Sequence, residues 1–434
     1  MAVTTSGLLP DNAEVIKNLQ NIDKSANEIL FTHRPFLGMI KKIDDLYGKS
    51  LTYLTDLSLS GGVSSDWAVA DRNRTNPGSR VQWILNTGPS SPYGGMWECT
   101  GEFEINERTL RLTSREGYGA FYEEFAHDLK GLKRKMGERL NHSIYRKAHG
   151  GICQITYTPV DTKVVLNVPQ EHVSFLLNDE VQFATNVSGA PGALRASGAY
   201  MYVVGIKRPA VGGTAEITLA TSISGTPSAV DATITGITTG DWILFSGQLN
   251  NSILGVQDWI VGSTVTNTPF LQVDRTKDPA KLAGHVYAGS VSIENTLCDA
   301  MRIVDFYGST VGNIMMNPED LNLLRKELIN KEVRFRTATL DGALAQLSYK
   351  AMEFEGTPIY SDKDVPRGLA FLLDMTTWEL HTNGELASPF AVDGGATSLT
   401  SPNIDGKLVR YKTYAQLLCR DPSRNIIAKL PITG

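Results

Sequence analysis

Apolar spacing along the chain changes period several times, and each change predicts a different element. Between Asp11 and Leu30, the residues Val15, Leu19, Ile22 and Ile29 recur at helical intervals until Arg34-Pro35 breaks the run. Apolar residues then cluster at Phe36, Leu37, Met39, Ile40, Ile43 and Leu46 with no partner run of their own, so the first fifty residues read as an arm that buries its apolar side elsewhere. From Ser50 to Pro92, β-rich runs (Leu51 to Leu54, Val81 to Leu85) alternate with the turn clusters Gly61-Gly62, Asn76-Pro77-Gly78 and Pro89-Ser90-Ser91-Pro92. This pattern predicts a long exposed β-loop or hairpin, a length that compact domains keep only for function or for ordering by a partner. Strands are expected around Phe103 to Leu112. The strongest helix follows over Gly119 to Lys147, where Phe121, Phe125, Leu129, Leu132, Met136, Leu140 and Ile144 form an apolar stripe. Its acids (Glu123, Glu124, Asp128) come early and its bases (Lys130, Lys133, Arg134, Lys135, Arg139, Arg146, Lys147) late, as the helix dipole favours. At 1.5 Å per residue the rod is about 40 Å long.

The stretch Ile152 to Val273 carries short β-runs at Val164 to Val168, Ala199 to Ile206, Ala215 to Ala220, Ala232 to Ile237, Trp242 to Phe245 and Phe270 to Val273, separated by Gly, Ser, Thr, Asn and Pro. Evenly spaced short strands predict a small antiparallel barrel or sandwich. Mixed elements return after Gly289. Ser292 is placed to cap a helix carrying Ile293, Leu297, Met301 and Val304. Asn317-Pro318-Glu319-Asp320 combines a capping side chain, proline at the first helical position and acids in the first turn, ahead of Leu321, Leu324 and Leu328. Strands are expected at Met352 to Phe354, Pro358 to Tyr360, Ala370 to Leu373, Leu408 to Leu418 and Ile426 to Leu430.

Composition narrows the function classes. The 434 residues allow two or three cores. No run approaches the ~18 apolar residues of a membrane span, and Met1 to Ser6 lacks the features of a signal peptide, which reads as cytosolic. Cys99, Cys153, Cys298 and Cys419 form no CxxC pair and are expected as free thiols. A net charge of −5 argues against a surface that grips nucleic acid all over, though the basic half of the long helix could face DNA phosphates, a solvated exterior or a neighbouring subunit. Phosphate-loop, dinucleotide, HExxH and GxSxG patterns are absent, so no catalytic, cofactor-binding or metal-ligating residue is assigned. His142 and His149, near Glu138 and Cys153, lack zinc-ligand spacing and are expected at the surface. The carboxylate pairs Glu353/Glu355 and Asp362/Asp364 fit polar outer-face or turn positions better than the flanking pair of a glycosidase.

Taken together, the C-terminal stretches resemble the major capsid protein of tailed double-stranded DNA bacteriophages, the Hong Kong 97-type fold. The likeness is carried by Val273-Asp274-Arg275-Thr276 with Asp278-Pro279 and Leu282-Ala283-Gly284, and by the helix Ser292 to Tyr307 leading to Ile314-Met315-Met316-Asn317-Pro318-Glu319-Asp320-Leu321. It continues in Glu355-Gly356-Thr357-Pro358-Ile359, Asp362, Val365-Pro366-Arg367-Gly368, Trp378-Glu379-Leu380, Tyr414-Ala415-Gln416-Leu417 and Asp421-Pro422. The firm part is about Asp274 to Leu430, and the order of elements extends it over most of the chain. The resemblance implies an α+β fold: N-terminal arm (1–49), extended β-loop (50–98), peripheral domain with a spine helix (99–165), inserted small antiparallel β-barrel or sandwich domain (166–273), and axial domain with closing peripheral strands (274–434). It further implies a non-enzymatic virion protein that self-assembles, in the host bacterial cytoplasm, into hexamers and pentamers of an icosahedral head. The implied partners are a scaffolding protein, a portal, a decoration protein and packaged DNA, with no membrane and no cofactor. Alternatives are another virion component, such as a tail or decoration protein, and a carbohydrate-active enzyme with a β accessory domain. Some relatives lock the shell by an isopeptide bond from a lysine on the loop. No lysine lies between Lys49 and Lys130 here, which predicts a non-covalent shell.

Overall fold

The structure, a computed structural model, describes residues 30–431 except 32, 49, 59–60, 62, 74–78, 87–96, 107–118, 158, 160, 210–212, 267, 331–335, 338–350, 390–397 and 401–405. The helix expected over Asp11 to Leu30 therefore lies outside the described residues apart from its last position. The chain then forms a short helix α1 (Pro35–Met39), strand β1 (Lys41–Asp44), a ribbon of β2 (Ser50–Ser58) and β3 (Ser79–Asn86) with helix α2 (Trp67–Asn73) between them, and strand β4 (Trp97–Asn106). β2 and β3 pair antiparallel from Ser50↔Asn86 to Ser58↔Ser79, the hairpin that the sequence predicts. Along β2, exposed and half-buried residues alternate, so one face of the ribbon is left open.

The long helix α3 (Gly119–Tyr145) follows. Leu129, Met136, Leu140 and Ile144 are buried at the expected spacing, and Leu132 is half-buried. The side chains of Phe121 and Phe125 lie outside the described residues. β4 runs beneath the helix at Gly101, where a Cβ would stand 2.6 Å from Leu132 Cδ1, so a larger residue would have to push the Leu132 and Met136 side chains aside.

Seven strands come next: β5 (Gly151–Gln154), β6 (Lys163–Val165), β7 (Glu180–Val187), β8 (Ala190–Leu194), β9 (Tyr200–Lys207), β10 (Glu216–Ala220) and β11 (Trp242–Phe245). They pair in the order β5-β11-β7-β9-β10-β6, all antiparallel, with β8 on β7. A bridge Ile155↔Leu166 joins the two ends of that order. Val164, Phe183, Met201, Ile217 and Ile243 fill a core separate from the other two. Two expected strands are absent. Ala232 to Ile237 is a helical turn, α4 (Val230–Thr233), and the chain beyond it. Val230, Ile234 and Ile237 are all buried, an i, i+4, i+7 spacing that a strand cannot place on one side. Phe270 to Val273 is a tight turn in which Phe270 and Val273 exchange backbone hydrogen bonds while Leu271 and Gln272 take positive φ. Its Leu271 carbonyl accepts the Ile84 N–H and clips the ribbon β2–β3 to the body.

The C-terminal part contains α5 (Val256–Trp259), α6 (Pro279–Ala283), β12 (His285–Ala288), α7 (Ile293–Asp305), β13 (Asn313–Met316), α8 (Pro318–Asn330), β14 (Arg336–Thr337), β15 (Ala351–Phe354), β16 (Thr357–Ser361), β17 (Leu369–Leu373), β18 (Trp378–Thr382), β19 (Ser388–Pro389), β20 (Ser398–Thr400), β21 (Gly406–Cys419) and β22 (Ile426–Lys429). The expected caps are present: Ser292 Oγ accepts the Asn295 N–H, and Asn317 Oδ1 accepts the Glu319 N–H. A mixed sheet β12-β22-β17-β13-β16-β15-β14 is buried on both faces. Ile314, Met316, Ala370 and Leu372 point to α7 and α8, whereas Met315, Phe371 and Leu373 point to the main core. That two-sided burial explains the unbroken apolar runs of β13 and β17. In the main core Phe36 of the arm meets Tyr145 of α3 at 5.6 Å and Trp378 of β18 at 6.0 Å.

Candidate assembly surface

Among the described residues, the groups that the sequence singled out do not converge on one cleft. Many of these side chains are spent on joining one part of the chain to another, and several large apolar side chains are left open. The basic half of α3 shows this best. Asp179, just ahead of β7 in the seven-stranded unit and buried, takes Lys135 at 2.6 Å and Arg139 at 3.1 Å. Glu171, also buried, takes Arg146, His142 at 3.8 Å and the Ser174 hydroxyl. Burial pushes the Glu171 carboxyl up, but Arg146 and His142 outweigh it and hold it down at about 2. Arg139 also stacks over the Phe245 ring. Three of the bases thus bind the chain's own β unit, rather than phosphate, water or another subunit. The signal was visible only as charge; its partner lies far along the sequence.

His142 is buried, not at the surface, and burial lowers its pKa. His149 is half-buried against Trp242, its ring centroid 5.5 Å away, and burial pushes it down to about 4. Glu355 is at an exposed turn with φ 46°, while Glu353 is half-buried on β15. Asp362 and Asp364 do lie in a turn, but the expectation of an outer-face position is wrong: their exposures are 1% and 2%. The turn dives under α3, where Asn141 Nδ2 donates to Asp362 Oδ2 at 3.0 Å and to Asp364 Oδ2 at 2.7 Å. The Tyr145 hydroxyl donates to Asp362 at 2.9 Å, and Lys363 reaches Asp364 at 3.0 Å. Burial, with Asp364 as a like charge beside it, pushes Asp362 up to about 6. The pair fastens the long helix to the C-terminal sheet, and Asp364 borders a cavity of only about 10 Å³. All four cysteines are free thiols. Among the described residues, no group of three or more His, Cys, Asp or Glu side chains is placed to hold a metal, and no helix is long and apolar enough to cross a membrane.

Large apolar side chains stand open in three places. On the ribbon they are Val63 and Trp67, at 101% and 83% exposure. At the ends of α7 and α8 they are Val291, Phe306 and Ile329, and on the β unit Leu177, Val187 and Ile223. Exposed apolar side chains grouped in this way are characteristic of surfaces that meet a partner.

No family model matches the chain, and no curated protein matches it by sequence. Solved structures do. The capsid subunit of cyanophage A-1(L) superposes with a TM-score of 0.50 at 12% identity, over 92% of this chain and 94% of that one. A satellite phage P4 procapsid chain gives 0.41 at 8% identity over 95% and 90%. A chain of an encapsulin complex from Synechococcus elongatus PCC 7942 gives 0.42 at 8% identity over 93% and 90%. The fold is that of a viral capsid subunit. Within that class it is the α+β arrangement of the Hong Kong 97 type, shared with the cyanophage shell protein across nearly the whole of both chains.

Proposed function

We propose that this chain is the major capsid protein of a tailed double-stranded DNA phage, a structural subunit that closes into an icosahedral head through hexamers and pentamers. One observation carries the reading. The capsid-subunit fold accounts for 92% of the chain, leaving no stretch large enough for a separate catalytic domain. The open ribbon β2–β3 supports it, since repeated heterologous contacts that form rings need a surface that reaches out of one copy to another. In this reading residues 1–49 are the arm, 50–98 the extended loop, 99–165 the peripheral domain, 166–273 an inserted β domain and 274–434 the axial domain with closing strands. The pairing order of β5 to β11 and the Ile155↔Leu166 bridge support a small barrel for this unit, one that also draws in β5 and β6 from ahead of residue 166. Its ion pairs to α3 would make it a rigid outgrowth of the subunit. Scaffold, portal and decoration protein are the partners, and packaged DNA meets the shell's inner face without sequence reading.

Negative-stain microscopy of the purified chain, alone and with the scaffold, tests this. Closed shells, tubes or hexameric rings are expected. A monomer or dimer under all salt and scaffold conditions would overturn the proposal.

A further inference from the structure

β4 forms the outer edge of the six-stranded sheet. It pairs with β21 along its whole length, from Trp97↔Ala415 to Asn106↔Gly406, and among the described residues no strand lies along its other side. Half of its N–H and C=O groups therefore face outward, and a flat strand of this length left open is a template for another strand. The edge is not simply solvated. Residues 97–102 form one wall of a cleft of about 610 Å³, the β unit forms the opposite wall, and Leu132, Met136 and Arg139 of α3 form its floor. At ~3.3 Å per residue that wall is about 20 Å long, room for a strand of about six residues.

Among the described residues, every charge lining the cleft except Glu180 is matched by an ion pair within the chain. Asp179 pairs with Lys135 and Arg139, Glu98 with Lys412, and Glu102 with Arg410. Its occupant should carry no acidic side chain, and its apolar side should fit a floor of Leu132 and Met136. Residues Ala2 to Leu9 (Ala-Val-Thr-Thr-Ser-Gly-Leu-Leu) meet both conditions: none is charged, three are β-branched, and Val3 and Leu9 fall on one face of a strand with Thr4 and Ser6 on the other.

We propose that residues 2–9 of a second copy of this chain add to the open edge of β4 in the cleft between α3 and the β unit. A second copy is required by distance. Leu30 is packed against Gly137, which at about 100° per residue lies well around α3 from the floor residue Leu132, and a Cβ on Gly137 would be 3.2 Å from Leu30 Cδ2. The apolar spacing of Asp11 to Leu30 predicts a helix, and 20 residues at 1.5 Å carry residues 2–9 about 30 Å away from their own cleft. Main-chain hydrogen bonds would supply the affinity, and alternate side chains the register. The inference rests on the shell reading for the supply of copies.

Cross-linking tests it. Thr100 is exposed on β4, on the same outward face that Ala2, Thr4 and Ser6 would share. One chain carries Thr100→Cys, and a second carries Ala2→Cys, Thr4→Cys or Ser6→Cys in turn; the two are co-assembled and oxidised. The native Cys99 stays silent, since burial pushes its thiol up to about 11. At least one pairing is expected to give a dimer-sized band that reduction removes, while Thr5→Cys, facing the floor, gives far less. Wild-type assembly with no band from any of the three overturns this inference and leaves the capsid reading standing. So does a doubly substituted chain that links only within itself. A wild-type chain that never assembles overturns both.

Discussion

Replacing Asp362 by Asn should make the subunit more stable at neutral and alkaline pH. Asp362 is fully enclosed between α3 and the turn after β16, with Asp364 on its flank, and its pKa is raised from 3.8 to about 6. A raised folded-state value means that the folded chain holds the proton more tightly than the unfolded chain. This group's contribution to stability is therefore fully present below pH 3.8 and lost as pH rises through about 6. A shift of about 2 units corresponds to on the order of 3 kcal/mol between those limits, an upper figure for a carboxyl that shares its site with another. An amide has no charge to repel Asp364. Its oxygen, in the place of Oδ1, still accepts from the Asp364 N–H. Its nitrogen takes the place of Oδ2, where the Tyr145 hydroxyl can turn to accept and Asn141 can turn its Oδ1, a buried acceptor with no partner among the described residues, to face it. Urea unfolding of the dissociated subunit at pH 4, 6 and 8 reads the effect. Asp362→Asn is expected to gain about 1–3 kcal/mol at pH 8, to gain little at pH 4, and to flatten the pH slope. Some slope should persist, because burial pushes Asp258 up to about 6 as well. A variant no more stable than wild type at pH 8, with the slope unchanged, would refute the account of this junction.

Further outcomes follow from other contacts. Leu129→Ala, at a site with no exposed surface under the long helix, should cost about 2–5 kcal/mol in the same unfolding assay, and an unchanged midpoint would count against the packing of α3. Asp179→Ala strands Lys135 and Arg139 and frees the Leu176 N–H, so a loss of about 2–4 kcal/mol and faster protease cleavage in the β unit are expected. Gly255→Ala would drive a methyl to within 2.6 Å of the Ile144 carbonyl oxygen and 2.8 Å of that of Ser143 at the end of α3, and soluble yield on expression should collapse. Assembled shells boiled in detergent should run as single subunits, since the ribbon offers no lysine; a ladder of linked subunits would contradict this.

Local chemistry made much of this protein readable from its sequence. The long helix, the hairpin and the two capped helices α7 and α8 depend on spacing and capping between residues a few positions apart, so the pattern that predicts them is also what stabilises them. The element order carried the capsid likeness for the same reason. Tertiary structure alone decided which core each element serves. Val230, Ile234 and Ile237 look like a strand until a helical turn buries all three, and Phe270 to Val273 turns tightly beside Trp83 and Trp259. It also decided the fate of the charges. Asn141 meets Asp362 across 221 positions and Lys135 meets Asp179 of the β unit, so part of a basic stripe and a turn carboxylate, both solvated by any local rule, end as fasteners whose acids are buried. Burying a charge is costly unless its partner is already in place, and the partner is set by how distant segments pack, which no local pattern in the sequence encodes.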